Sequence, residues 1–154
     1  MEAKCGSDAE IYARYAPELV RFARGLVGPD DAPDVVAEAV TQLMYSPVWP
    51  KARNHRALLY RAVLYQAQSW QRSKHRRAAR ESTSVPPGAW EVPDFDPAVG
   101  AAIAALSPQQ RAVTFLTYWE DLTPSTIAVL LDVSEGSVRK QLARARRRLR
   151  KVLE

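Results

Sequence analysis

The chain has 154 residues, 47% of them apolar, with one cysteine and a formal net charge of +5. That is enough apolar material for one ordinary domain or two small ones, and it excludes general disorder. The lone Cys5 excludes an internal disulfide and fits a reducing compartment. No apolar run approaches the ~18 residues that cross a bilayer, and the opening "MEAKCGSDAE" lacks a secretory segment, so the expectation is a soluble cytoplasmic protein.

In chain order, Asp8 is the expected cap of a helix through "IYARYAPELVRFARGLVG", bent or restarted at Pro17 and stopped by Gly28. A second helix starts near Asp31 and Pro33 and runs "DVVAEAVTQLMY" until Pro47. The stretch "SPVWPKARNHR", with two prolines, predicts an ordered loop or short turn. Asn54 then caps a long helix, "RALLYRAVLYQAQSWQRSKHRR", whose buried face at helical spacing is Leu59, Val63, Ala67 and Trp70. Residues 81–97, "ESTSVPPGAWEVPDFDP", hold four of the eleven prolines and no helical period, the composition of a linker. Trp90 and Phe95 are costly to leave in water, which gives docking of this strand on a partner as a second reading.

The remainder is well punctuated. "DPAVGAAIAAL" predicts a short helix with Asp96 and Pro97 at its start. "SPQQRAVTFLTYWE" opens with Ser107 as cap, Pro108 at the first helical position and Gln110 closing a capping box. "TPSTIAVLLD" repeats the pattern at Thr123 and Pro124, and the last helix starts from Ser134, with Val133 and Val138 as a hydrophobic staple. No stretch alternates as a strand would. The fold class is therefore all-α: helical domains over 1–80 and 98–154, joined by a proline-rich acidic linker, 81–97.

Charge is unevenly placed. Residues 1–70 balance eight basic side chains against eight acidic ones. Residues 71–80 hold five basic and no acidic residues, residues 81–110 hold four acids and no Lys or Arg, and residues 139–151 hold eight cations and no acid. Two cationic blocks, each ending an amphipathic helix, point to nucleic acid more than to simple solubility.

A helix over 124–131, a turn at "DVS" and a helix from 135 onward make a helix-turn-helix. Ile127, Leu130 and Leu131 pack the first helix, and Val138, Leu142 and Ala145 pack the second. Ser137, Arg139, Lys140, Gln141, Ala143, Arg144 and Arg147 are left around its outer side, where a recognition helix meets base edges in the major groove. Arg and Lys suit guanine O6 and N7, and Gln suits adenine. Gly136 lets backbone N–H groups approach a phosphate.

The stretch "WEDLTPSTIAVLLDVSEGSVRKQLARARRRLR" resembles the C-terminal region of bacterial RNA polymerase sigma factors of the extracytoplasmic-function type. Glu120, Ile127, Ala128, Asp132, Ser134, Gly136, Ser137, Val138, Arg144, Ala145 and Arg146 carry the match, and "LSPQQRAVTFL" resembles the family's Leu-Pro-x-x-x-Arg opening. "YAPELVRFARGLVGPDDAPDVVAEAVTQLM" is similar to the family's polymerase-binding helices, with Asp34, Val35, Val36 and Glu38 matching Asp-Leu-Val-x-Glu. "RALLYRAVLYQAQSWQRSKHRR" resembles the promoter-melting helix, with Leu59 and Arg61 in their usual places. The resemblance spans roughly 9–151.

It implies a protein that binds core RNA polymerase, reads the −35 element of promoter DNA as duplex, opens the −10 region, and threads its linker through polymerase channels. An anti-sigma factor is a candidate partner. Asp34, Glu38 and Gln42 then face the polymerase, with a plain solvated face as the alternative. Tyr65, Ser69, Arg72 and Arg76 share one helix face, offering an aromatic for stacking and cations for the backbone of a single strand. Trp49 and Asn54 fall where the family builds its flipped-base pocket, although Trp49 is equally a core residue. Tyr65 replaces a frequent Asn and Ser69 a frequent Asp, while Lys140, Gln141 and Ala143 also depart from the family, so the base preferences stay open.

Enzymatic function finds little support: His55 and His75 lie twenty residues apart without metal-ligand spacing, no glycine-rich phosphate loop exists, and no cofactor is implied. The leading rival is a stand-alone helix-turn-helix transcriptional regulator. A helical adaptor with basic tails is the second.

Overall fold

Ser7, not Asp8, starts the first helix. Its hydroxyl accepts from the Glu10 N–H at 3.2 Å, while the Glu10 carboxylate accepts from the Ser7 N–H at 3.3 Å, a reciprocal capping box. This computed structural model describes residues 7–81 and 97–153. The helix it opens is α1 (Asp8–Val27), which carries Pro17 inside it without a break or restart, and ends where Gly28 takes φ of 90°. α2 (Ala32–Tyr45) follows, then a turn-rich loop, and α3 (His55–Glu81) begins where the Asn54 side chain accepts from the Ala57 N–H at 3.0 Å.

After residues 82–96, which lie outside the description together with Trp90 and Phe95, four more helices follow: α4 (Pro97–Ala104), α5 (Pro108–Tyr118), α6 (Pro124–Leu131) and α7 (Glu135–Leu153). The caps of the last three match the sequence expectation, while Asp96, expected at the start of α4, lies outside the described residues. Ser107 and Gln110 form a capping box, the Thr123 hydroxyl accepts from the Thr126 N–H, and the Ser134 hydroxyl accepts from the Ser137 N–H at 3.0 Å. All regular structure among the described residues is helical. No helix there is long and apolar enough to cross a membrane.

The first three helices pack on one another through Leu19, Phe22, Leu26, Val35, Val36, Leu59, Tyr60 and Val63, all buried. Each fully buried side chain of this size contributes about 1.5–3 kcal/mol. The C-terminal helices pack around α5 and α7 through Ala112, Leu116, Ile127, Val138, Leu142 and Ala145. Two separately cored units were the expectation. Most buried residues of the two halves run into one cluster, because α5 lies against α1 and α3, and α6 lies against α3, while Ile103, Leu106 and Ala145 are buried outside it. The reason is physical: after each half packs internally, α1 still presents Phe22 and Gly25, and α5 still presents Phe115. The Phe22 and Phe115 rings meet at 6.2 Å.

Polar groups hold the same seam. Arg111, buried on α5, donates to the Leu26 carbonyl at 2.7 Å and to the Gln71 side-chain oxygen. Leu26 O is one of the carbonyls that α1 cannot satisfy internally, so Arg111 completes that helix end. Burial pushes the Arg111 guanidinium down to about 10. Arg61 on α3 donates to the Val129 and Leu130 carbonyls at 2.8 and 3.2 Å, gripping the negative end of α6. Arg21 on α1 pairs with Glu120 at 3.1 Å, and that hydrogen bond raises the Arg21 pKa above its usual value.

Candidate nucleic-acid interface

The turn between α6 and α7 is set by local chemistry. Asp132 adopts the left-handed conformation, φ 56° and ψ 48°, which short polar side chains tolerate, and ends α6 with its N–H on the Ala128 carbonyl. The Val133 N–H reaches the same carbonyl at 3.1 Å. The chain then re-enters a helix at Ser134. Ile127, Leu130 and Leu131 on α6, and Val138, Leu142 and Ala145 on α7, are buried, as their spacing predicts. The two helices therefore turn one fixed side of α7 outward.

On that outward side Arg139, Lys140, Ala143, Arg144 and Arg147 are exposed, and Ser137 and Gln141 are half-buried. Three cations of α7 have partners within the chain. Arg146 donates to the Tyr118 hydroxyl at 2.7 Å and lies over its ring, and Arg148 reaches the Ala105 carbonyl and Gln110 side chain, each at 3.3 Å. Arg139 pairs with Glu135 one turn earlier at 2.6 Å. Lys140, Arg144 and Arg147, exposed and four and three residues apart, form an outward ridge of the helix. A side chain added at Gly136 would meet nothing closer than Ser134 Oγ at 4.0 Å, so internal packing does not require glycine there.

A second surface lies on α3. Tyr65 is 63% exposed, Arg72 and Arg76 are exposed, and Ser69 is half-buried. All four share the face opposite Val63 and Ala67, which are buried. The neighbouring loop behaves differently from its expected role. Trp49 is only 3% exposed; its indole N–H donates to an Asp8 carboxylate oxygen at 3.0 Å, and its ring meets His55 edge-on. It is a core residue, and as placed it offers no face to a base. Asn54 is exposed, but its side-chain oxygen is engaged as the cap of α3. Beside it an open cavity of about 410 Å³ is lined by Arg14, Tyr15, Arg53 and Asn54 among others.

A third surface is acidic. Asp34, Glu38 and Gln42 stand exposed on α2, with Gln42 donating to Glu38 at 2.8 Å, opposite the buried Val35, Val36, Ala39 and Val40. Sequence reasoning passed over Tyr45, which continues this stripe and is 87% exposed. The signal was available: Tyr45 falls seven residues after Glu38 and three after Gln42, on the same helical face. Sequence reasoning placed Arg61 in the resemblance but gave no internal partner to Arg61 or Arg111.

A cationic recognition ridge on the second helix of a helix-turn-helix defines a major-groove DNA-binding domain. Residues 97–149 match the family model Sigma-70, region 4. Its sequence relatives include an RNA polymerase sigma-E factor of Streptomyces antibioticus, 42% identical over 53 residues, which is 34% of this chain and 29% of that protein. A second, the RNA polymerase sigma-E factor of Streptomyces avermitilis, is 40% identical over 52 residues, covering 34% and 29%. The chain thus spans under a third of these relatives' length. In structure it is similar to the sigma factor RpoE of Bartonella quintana, solved in complex with the anti-sigma factor NepR: TM-score 0.68, 20% identity, covering 94% of this chain and 95% of that one. That likeness establishes a shared all-α fold across both halves. The resemblance read from the C-terminal motifs is borne out by the match over residues 97–149.

Proposed function

We propose that this chain is a sigma factor of the extracytoplasmic-function type: it binds core RNA polymerase and directs it to specific promoters, without enzymatic activity of its own and in the cytoplasm. The observation that carries the proposal is the sigma-70 region 4 domain at residues 97–149 with Lys140, Arg144 and Arg147 as its outward ridge. In this reading Ser137, Arg139, Lys140, Gln141, Ala143, Arg144 and Arg147 meet the −35 duplex, where bidentate contacts to bases give about 1–3 kcal/mol of discrimination each. The α3 stripe of Tyr65, Ser69, Arg72 and Arg76 takes the unpaired −10 strand by stacking and phosphate contact. Asp34, Glu38 and Gln42 meet cations on the polymerase, and Tyr45 extends that surface with a side chain favoured at interfaces. Residues 1–80 and 98–154 serve as the two working units, with 81–97 as the tether. The Bartonella neighbour was solved with an anti-sigma factor, which supports an inhibitory protein of that kind as a further partner.

Reconstitution with core polymerase tests the proposal. Run-off transcription across a library of upstream sequences from the source genome is expected to give discrete start sites only when the chain is present. Nanomolar, sequence-specific duplex binding by the chain alone, with no transcripts on adding core enzyme, would favour the stand-alone regulator instead.

A further inference from the structure

The recognition ridge can read bases only if α7 holds a fixed roll about its own axis. A long side chain reaches about 5–6 Å from a helix axis, so a roll of about 20° carries its tip roughly 2 Å. Hydrogen bonds to base edges tolerate about 0.5 Å, since donor–acceptor distances fall between about 2.7 and 3.2 Å. Near the start of α7 the apolar stripe controls the roll through buried Val138 and Leu142. One turn further it narrows to the methyl of Ala145 and the half-buried Leu149. Apolar contact is non-directional, and a methyl is a poor stop against rotation.

Two arginines supply the direction. Arg146 and Arg148 are two residues apart, about 200° around the helix, and so fall on opposite flanks of the Ala145–Leu149 stripe. On one flank Arg146 Nε donates to the Tyr118 hydroxyl at 2.7 Å, with its guanidinium 5.8 Å from the ring centroid. On the other, Arg148 donates to the Ala105 carbonyl, just past α4, and to Gln110 Oε1, each at 3.3 Å. That Gln110 oxygen also accepts from the Ser107 N–H, so Arg148 is tied to the cap of α5. Gln110 lies in the first turn of α5 and Tyr118 closes its last, about 12 Å further along the axis at about 1.5 Å per residue. The two arms reach opposite ends of α5, and a roll of α7 that slackens one strains the other. These bonds are exposed, so each adds little to stability. What they fix is direction.

We propose that Arg146 and Arg148 are positioning residues for base reading: through Tyr118, Gln110 and the Ala105 carbonyl they set the roll of α7 and so aim Lys140, Arg144 and Arg147. Their effect on promoter choice comes from that aim and not from phosphate contact. Arginine suits the task because its donors sit in a rigid planar fork, which the flexible ammonium of lysine lacks. The consequence for promoters rests on the functional reading above; the anchoring of α7 does not.

The test uses the full chain, unaltered and as Arg146→Ala, Arg148→Ala, Tyr118→Phe and Tyr118→Glu. With core polymerase, run-off transcription is measured from a promoter that the unaltered chain uses and from a copy with one base pair of its −35 element replaced. The ratio of the two is expected to fall about three- to tenfold in both arginine variants and about threefold in Tyr118→Phe, within the range of one base contact. Thermal midpoint and helix content should stay unchanged. Tyr118→Glu, which returns an acceptor to Arg146, should recover most of the ratio. A loss of folded protein would lower both transcripts together, so an unchanged ratio or an equal loss from both templates would overturn the positioning role. The second arm needs no polymerase: the free chain is bound to a mixed-sequence duplex at low salt and titrated with salt. The slope is expected to be the same for both arginine variants as for the unaltered chain. A slope shallower by about 1 for either would make that arginine a phosphate contact and overturn the proposal. Absence of promoter-specific transcripts from the unaltered chain would count against the functional reading, and the salt titration would then decide the role of the arginines by itself.

Discussion

Replacing Gly25 with alanine sets two known effects against each other, and the sign of the result reports whether the halves are docked. Gly25 sits in the last turns of α1, where alanine is the better helix former by about 1 kcal/mol. If nothing lay over that position, Gly25→Ala would stabilise the protein. In the docked chain the new methyl stands 2.9 Å from Phe115 Cδ2 and a Cβ there lies 3.2 Å from Cγ. That is well inside the ~3.5–4.0 Å optimum for carbon pairs. The offending atoms lie at the root of the ring, and the ring is itself held between Phe22 at 6.2 Å and Trp119, which stacks on it at 5.8 Å. Overpacking of this kind costs about 1–3 kcal/mol, so the net effect is a loss of about 1 kcal/mol rather than a gain. Urea unfolding followed by circular dichroism measures it as a fall in the midpoint at unchanged slope. In a Phe115→Ala background the collision disappears, and the same Gly25→Ala change should then raise stability by about 1 kcal/mol. The cycle should therefore yield a coupling of about 2 kcal/mol. A stabilising Gly25→Ala in the unaltered background would refute the reasoning, because it would mean that Phe115 does not cover α1 in solution.

Four further outcomes follow from the site and the core. Arg144→Ala should reduce specific transcription roughly 5- to 100-fold, the range of one base contact, whereas Arg150→Ala should have a markedly smaller effect; equal losses would indicate generic phosphate attraction. Charge reversal at Asp34 and Glu38 together should weaken association with core polymerase about tenfold, mostly through the on-rate, while duplex binding by the isolated chain stays unchanged; unaltered association would remove these residues from that interface. Ser107→Ala deletes a capping box and should cost about 1 kcal/mol in urea unfolding, with no change in transcription at temperatures well below the transition. Trp49→Phe, which loses the bond to Asp8 but keeps an aromatic, should cost about 1–2 kcal/mol; a loss of promoter opening at full stability would instead place the indole on DNA.

Helix boundaries were legible because they are written locally. Ser107 with Gln110, Thr123 with Pro124, and Ser134 each satisfy donors within three residues, so no tertiary information is needed to place them. Even the one-residue error at the start of α1 had a local remedy: Ser7 and Glu10 have the S-x-x-E spacing, which Asp8 lacks. Of the two readings at Pro17, a bend or a restart, the restart is excluded for the complementary reason. A proline forfeits one backbone bond, but with Leu19, Phe22, Ala23 and Leu26 all buried just beyond it, packing outweighs that loss and the helix continues. The docking of the halves was not legible at all. Periodicity shows that Phe22 and Phe115 face something apolar; it does not show that they face each other across more than ninety residues. The internal partners of Arg61 and Arg111 were hidden as well, because most of them are backbone carbonyls, which every sequence supplies everywhere.

The same distinction sorts the proposed contact residues. Those on the middle turns of helices, Lys140, Arg144 and Arg147 on α7 and Tyr65, Arg72 and Arg76 on α3, point outward as expected, because the buried stripes of Val138, Leu142 and Ala145 on α7 and of Val63 and Ala67 on α3 occupy the opposite face. Trp49 and Asn54 lie in the loop before α3, where direction is set by whatever the loop packs against. There Asp8 and His55 drew the indole inward, and the bare N–H of Ala57 drew the amide oxygen. An aromatic in a loop has two ways to leave water: under its own chain, or on a partner. When a hydrogen-bond acceptor for its polar edge is already within the chain, the inward choice satisfies both the ring and the N–H, and no partner is needed to hold it.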